Sequence, residues 1–225
     1  MTAWLVDLGT IEYGEAWRLQ KSLVERRAAD AIPDTLLLLE HPHVATLGRR
    51  GKREDVFDAS LPVFEIERGG EATYHGPGQL VGYPILKMKD RLDVRKLVTD
   101  LEEVLIRASG AFGIPAERND AQRGIWVHRR KLGSIGMAVH NLVTYHGFAH
   151  NVNTDLSYFE RIRPCGNEGR VMTSMEKELG HALDIATFKE RVAGDFEEVF
   201  HLDFDRVPPE RVEAVTPAAQ IELLT

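Results

Sequence analysis

Cysteine is nearly missing from this sequence: Cys165 is the only one among 225 residues. An intramolecular disulfide is therefore excluded, and a zinc site built on several thiolates lacks its ligands. Long apolar runs are missing as well. No stretch approaches the roughly 20 residues of a membrane-spanning helix, and the opening MTAWLVDLGT carries neither a basic leader nor an extended apolar segment. The expectation is a soluble, cytoplasmic protein with no membrane partner. Positive charge is in deficit: 28 Lys and Arg against 35 Asp and Glu leave a formal net charge of −7. That balance argues against general nucleic-acid affinity, although RRGKR (Arg49 to Arg53) forms a local basic patch. Two phosphate-cradling patterns are absent too. There is no G-x-x-x-x-G-K-[ST], and no G-x-G-x-x-G opens a helix, so nucleotide phosphates are not specifically indicated.

What remains is the composition of a globular chain, 43% hydrophobic and 28% charged, expected to form one domain over residues 1–225. GEAWRLQKSLVERRAAD (Gly14 to Asp30) sets Ala16, Leu19 and Leu23 at helical spacing, and TLLLLE (Thr35 to Glu40) is bounded like a buried strand. DVRKLVTDLEEVLIRASG (Asp93 to Gly110) places Leu97, Leu101, Val104, Leu105 and Ala108 along one helical face, with Asp93 as N-cap and Gly110 as stop. Residues Gly124 to Asn153 read as three strands, one of them ahead of an HRRK turn. Two short helices follow, with capping boxes at Thr173/Glu176 and Thr187/Glu190, and the tail from Val207 reads as peripheral. Hairpins and helices without regular βαβ alternation predict an α+β fold, a mixed or antiparallel sheet covered by helices.

Special backbone concentrates in RGGEATYHGPGQL (Arg68 to Leu80), between the predicted strands VFEIE (Val63 to Glu67) and QLVGYPIL (Gln79 to Leu86). Glycine serves where the chain takes positive φ or another molecule approaches the backbone. The stretch therefore reads as a shaped loop, either a tight β connection or a wall of a ligand pocket. Cys165 lies in RIRPCGNEGR (Arg161 to Arg170), between proline and glycine in an arginine-rich segment. A lone cysteine is commonly a small buried hydrophobe. Here the polar context suits chemistry better, since nearby positive charge lowers a thiol pKa and favours the nucleophilic thiolate. Its proton-moving partner could be histidine or lysine. His75 and His146, each beside a glycine, are the strongest histidines on context, whereas Lys131 reads as part of a solvated hairpin tip. Against that reading, LGSIGMAV alternates small and apolar residues, which lets a ligand lie close to the strand. HPH (His41 to His43) has no acidic or thiol ligands at metal-binding spacing and reads as structural.

Five motifs, LLLLEHPHVATLGRRG, RGGEATYHGPGQLVGYPIL, KLGSIGMAV, VTYHGFAHNVN and PCG, occur in this order over roughly residues 36 to 175. Together they resemble the lipoyl(octanoyl) transferase family, whose fold is similar to the catalytic domains of biotin and lipoate protein ligases. The resemblance implies transfer of octanoyl from octanoyl-acyl carrier protein to a lysine ε-amino group on lipoyl domains of 2-oxoacid dehydrogenase complexes and of glycine cleavage H protein. It implies Cys165 as the acyl-thioester nucleophile and Lys131 as its dyad partner. It further implies an acyl pocket built from Arg68, Gly69, Gly70, Glu71, Ala72, Thr73, Tyr74 and His75, from Ser134, Ile135 and Gly136, and from Gly147, Phe148 and Ala149. No ATP and no metal are implied, since the donor thioester on phosphopantetheine is already activated. Arg163 replaces an asparagine common in relatives. Carrier proteins are generally acidic, so the Arg49 to Arg53 patch becomes a candidate docking surface. An ATP-dependent ligase, an amidotransferase between lipoyl domains and a non-catalytic acyl-binding module are the competing readings.

Overall fold

The computed structural model describes residues 2–90, 93–163 and 171–213. In chain order the strands and α-helices are β1 (Thr2–Thr10), α1 (Tyr13–Ala28), β2 (Thr35–Glu40), β3 (Val44–Leu47), β4 (Val63–Glu65), β5 (Ala72–His75), β6 (Gln79–Ile85), α2 (Val94–Ala111), β7 (Glu117–Arg118), β8 (Ile125–Val127), β9 (Arg130–His140), β10 (Val143–Asn151), α3 (Met175–Leu179), α4 (Ile185–Phe200), β11 (Asp203–Arg206) and α5 (Glu210–Glu213). Short 3-10 turns occupy Arg53–Asp55 and Leu156–Arg161.

β2 shows why the large sheet forms. Its four consecutive leucines alternate between faces. Leu36 and Leu38 pack with Leu101, Val104 and Leu105 of α2 and with Phe188, Val192 and Phe196 of α4. Leu37 and Leu39 pack with Ala16, Leu19, Leu23 and Val24 of α1. A strand covered on both sides must be apolar at every position, and each fully buried leucine stabilises the fold by about 1.5–3 kcal/mol. Eight strands run in the order β11-β1-β2-β6-β10-β9-β8-β7. The contacts of β1 with β2 and β11 are parallel, and the remaining pairs are antiparallel. A second sheet, β4-β3-β5, pairs β3 parallel with β4 and antiparallel with β5. The mixed, helix-covered α+β architecture matches the expectation from sequence.

Several local expectations are corrected. The glycine-rich stretch is not a plain loop, because its ATYH portion is β5, buried along its whole length. α2 runs one residue past Gly110, to Ala111, with Phe112 at its C-cap and Gly113 at φ 81° just beyond. The Asp93 carboxylate makes no cap bond to the first helical turn. Ser174, rather than Thr173, caps α3, with its hydroxyl accepting from Lys177 N–H. Asp184, rather than Thr187, caps α4 by accepting from the N–H groups of Ala186 and Thr187, and α4 is 16 residues long instead of short. The segment after Val207 is not wholly peripheral: Val212 of α5 is fully buried in the cluster beneath α1.

Candidate active site

The glycine-rich stretch and β9 meet face to face. Gly69 N–H donates to Met137 O at 3.1 Å. A Cβ on Gly136 would lie 3.0 Å from Arg68 Cδ and 3.2 Å from Gly69 O, so glycine allows this approach. The turn after β3 holds the loop from the other side. Gly48, Arg49 and Arg50 donate backbone N–H bonds to Glu71 O, Arg68 O and Gly70 O at 3.1, 3.0 and 3.0 Å. Arg68 itself is buried, with Nη2 donating to Thr46 O and Thr46 Oγ1 at 2.9 Å each and Nη1 to Gly69 O at 3.0 Å. It acts as a strut that shapes the loop.

These contacts frame a pocket of about 60 Å³ between the two sheets. Arg68, Gly69, Gly70, Thr73 and His75 contribute from the glycine-rich stretch; Lys131, Ser134, Ile135 and Gly136 come from β9; Gly147, Phe148 and Ala149 come from β10. The large sheet sets two of these strands in register, with Gly147 opposite Gly136, Phe148 opposite Ile135 and Ala149 opposite Ser134. Three expected residues do not join the lining. Side chains alternate along a strand, so Thr73 and His75 of β5 reach the pocket while Tyr74, fully buried, packs into the small core with Ala45 and Phe159. Ala72 is also fully buried, and Glu71 lies 3.6 Å from Arg50. Cys165 lies outside the described residues. Conversely, Tyr13 and Tyr83 line the pocket although the sequence did not mark them, and His146, which the sequence offers as a partner for Cys165 and not as an acyl-pocket residue, lines it as well. The GYP of β6 and the histidine–glycine pair of β10 were the signals for the last two.

Lys131 is not at a solvated tip. It belongs to β9, is 6% exposed, and places Nζ 5.4 Å from the centroid of the Trp126 ring. Its carbonyl accepts from Thr173 N–H at 3.0 Å, and residues 131 and 172 form a parallel bridge. On the other side of residues 164–170, Arg163 N–H donates to Asp55 O at 2.7 Å.

Hydrogen bonding assigns the tautomers around the pocket. Thr173 O can only accept, so Asn151 Nδ2 donates to it at 2.9 Å. Asn151 Oδ1 then accepts from Gln79 Nε2 at 2.9 Å, and Gln79 Oε1 accepts from His75 Nδ1 at 2.7 Å. His75 thus carries its proton on Nδ1, which leaves Nε2 an acceptor. In the same way Ile11 O accepts from His41 Nδ1 at 2.7 Å, so His41 Nε2 accepts from the Tyr83 hydroxyl at 2.8 Å. Burial pushes the pKa of His41 down to about 4 and that of His75 to about 3, which keeps both rings neutral. Burial also lowers His146, whose Nε2 lies 3.5 Å from Glu67 Oε2 and whose backbone takes φ 56° in the middle of β10. Such a conformation in a non-glycine residue stores strain, and strain of this kind clusters at functional sites.

The arrangement combines a flat glycine-lined wall, the apolar side chains of Ile135 and Phe148, one buried amine and a set of neutral acceptors. It suits a narrow apolar group beside a proton-transfer group. His41 and His43 are held by Ile11, Tyr83 and Tyr74, and among the described residues no group of three or more His, Cys, Asp or Glu could hold a metal ion. No helix among them is long and apolar enough to cross a membrane.

Among solved structures, lipoate-protein ligase A bound with ATP is similar to this chain with a TM-score of 0.77 and 17% sequence identity, over 96% of this chain and 92% of that one. The fold is that of a lipoate-ligase catalytic domain. The profile of the lipoyl protein ligase A/B catalytic domain matches residues 12–197. An octanoyltransferase of Syntrophotalea carbinolica is 47% identical over 194 residues, covering 86% of this chain and 92% of the relative. An octanoyltransferase of Syntrophobacter fumaroxidans is 43% identical over 222 residues, covering 95% and 97%. The chain belongs to the lipoyl protein ligase A/B catalytic-domain family, among its octanoyltransferases, and is an acyltransferase.

Proposed function

We propose that this enzyme moves octanoyl from octanoyl-acyl carrier protein to the ε-amino group of a lysine on lipoyl domains, through a thioester on Cys165 and without ATP or metal. The acceptors in this reading are the lipoyl domains of 2-oxoacid dehydrogenase complexes and glycine cleavage H protein, and the reaction takes place in the cytoplasm. The observation that carries it is the buried Lys131 amine on the wall of the glycine-lined pocket, in a chain whose relatives are octanoyltransferases.

The proton balance closes with two groups. The resting pair is the Cys165 thiolate and the Lys131 ammonium, each favouring the charge of the other. Thiolate attack on the donor thioester forms the octanoyl-enzyme and expels the carrier's thiolate, which takes its proton from Lys131. The neutral Lys131 amine then accepts a proton from the incoming lysine amine as that amine attacks the acyl-enzyme. Breaking the acyl-enzyme bond restores thiolate and ammonium. Two half-reactions through a covalent intermediate give ping-pong kinetics. Ile135, Phe148 and the glycine wall would hold the acyl chain and keep water from the thioester. In the test, purified enzyme receives octanoyl-carrier protein and a lipoyl domain without ATP. Octanoylation of the domain with parallel double-reciprocal plots is expected. Transfer that appears only with ATP and free octanoate would overturn the reading in favour of a ligase.

A further inference from the structure

We propose that the surface around Phe57 is the docking face for the acyl donor, an acidic carrier protein whose thioester arm is linked through a phosphodiester. This rests on the acyl-transfer reading and adds to it the surface that selects the donor.

Phe57 is the one large hydrophobic residue exposed among the described residues, at 57%. Basic side chains lie near it in the chain, and one of them lies against its ring. Arg49, Arg50, Lys52 and Arg53 are exposed, as is Arg163, whose guanidinium carbon lies 5.5 Å from the centroid of the Phe57 ring. Backbone bonds make these residues one surface. Arg49 and Arg50 are tied to the pocket wall at Arg68 and Gly70, Phe57 N–H donates to Arg161 O at 2.8 Å, and Arg163 N–H donates to Asp55 O at 2.7 Å. The face thus runs from the pocket wall to a point two residues before Cys165. Acidic groups here are turned to internal use. Asp55 is buried, accepting from Lys52 N–H at 2.9 Å and from Arg163 Nη1 at 3.2 Å, and Asp58 accepts from Arg161 Nη1 at 2.9 Å. Glu54 is the only exposed acid between residues 49 and 57. A chain with net charge −7 therefore presents a run of exposed basic residues that leads from its pocket wall to an exposed aromatic.

The charge on the reacting arm of each substrate favours the donor. The acceptor brings a lysine, a cation in water, which a basic run repels. The donor brings an anionic phosphodiester on an acidic protein, which the same run attracts and orients. An exposed aromatic with an arginine against its ring is also the composition of an interface anchor.

The test compares two donors on one enzyme. Arg50 is left in place because it faces Glu71 of the glycine-rich stretch. The variants are the triple reversal Arg49→Glu/Lys52→Glu/Arg53→Glu and, separately, Phe57→Ser. Each is expected to lower kcat/KM for octanoyl-carrier protein by about tenfold or more, mainly through KM, with octanoyl-pantetheine used within about twofold of wild type. The triple reversal should also flatten the salt dependence of the carrier reaction. Equal losses on both donors, no loss on either, or a raised KM for the lipoyl domain alone would overturn the assignment. Failure of the underlying reading looks different, since the wild-type enzyme would then use neither donor.

Discussion

Thr173 N–H donates to Lys131 O at 3.0 Å, so the chain that follows the Cys165 segment is stitched to the strand that carries the buried amine. The bond is between backbone atoms and does not depend on the lysine side chain. Lys131→Met keeps a side chain of similar length in the Trp126 environment and removes only the amine. We expect transfer to fall by about 100-fold or more, while the denaturant midpoint stays close to wild type. A large loss of stability would instead make Lys131 a structural residue.

Glycine positions in the site are graded by what a side chain would meet. A Cβ on Gly147 would lie 2.1 Å from Gly82 O and 2.6 Å from Pro84 Cδ, inside the large sheet. Backbone cannot yield there, so Gly147→Ala should cost about 3 kcal/mol or more, or prevent folding. Gly136→Ala meets Arg68 Cδ at 3.0 Å and Gly69 O at 3.2 Å, where the loop can shift slightly. That variant should fold and lose transfer. Urea unfolding of the two variants, with activity on the second, checks the contrast.

Tyr83→Phe removes the hydroxyl that donates to His41 Nε2 at 2.8 Å. The imidazole acceptor is then left buried without its partner, at a cost of about 1–3 kcal/mol. Comparing the unfolding free energy of this variant with wild type measures that cost. No change would mean that Tyr83 does not satisfy His41.

How much of this was legible in the sequence differs between elements. The run of β2 was legible because burial on both faces leaves no polar position to blur it. The periodic face of α2 was legible for the opposite reason, its clear division into apolar and polar sides. β5 was hidden because its four residues sit among glycines and pair only with β3, itself four residues long. α4 looked short because Gly194 interrupts it, yet a Cβ at this glycine would meet nothing within 4 Å. In the site, the resemblance supplied most of the pocket residues that the structure gathers. It could not give the alternation that turns Tyr74 away from the pocket, nor bring in Tyr13 from the first turn of α1, because both depend on how two sheets and a helix meet.

Gly194 also gives a stability prediction. Glycine inside a helix costs about 1 kcal/mol relative to alanine, so Gly194→Ala should raise the unfolding free energy by about that amount without altering activity. A thermal or urea melt checks it.

Stability should fall in mild acid. His41, His75 and His150 are pushed by burial from 6.5 to about 4, 3 and 3 in the fold. Below pH 6.5 the unfolded chain takes up protons that the folded chain refuses. Stability is therefore fully present above that pH and declines as pH drops toward the folded values. By about pH 5 each histidine contributes a loss of about 2 kcal/mol. Urea midpoints across this range, with His150→Gln showing a shallower decline, provide the measurement.

The thioester on Cys165 is tested most directly by the mass of the intact protein after mixing with octanoyl-carrier protein in the absence of ATP. One octanoyl adduct is expected, removed by hydroxylamine, absent from Cys165→Ala and reduced in Lys131→Ala. An adduct that persists in Cys165→Ala, or a wild-type enzyme that transfers octanoyl to a lipoyl domain while never becoming acylated, would contradict the covalent route.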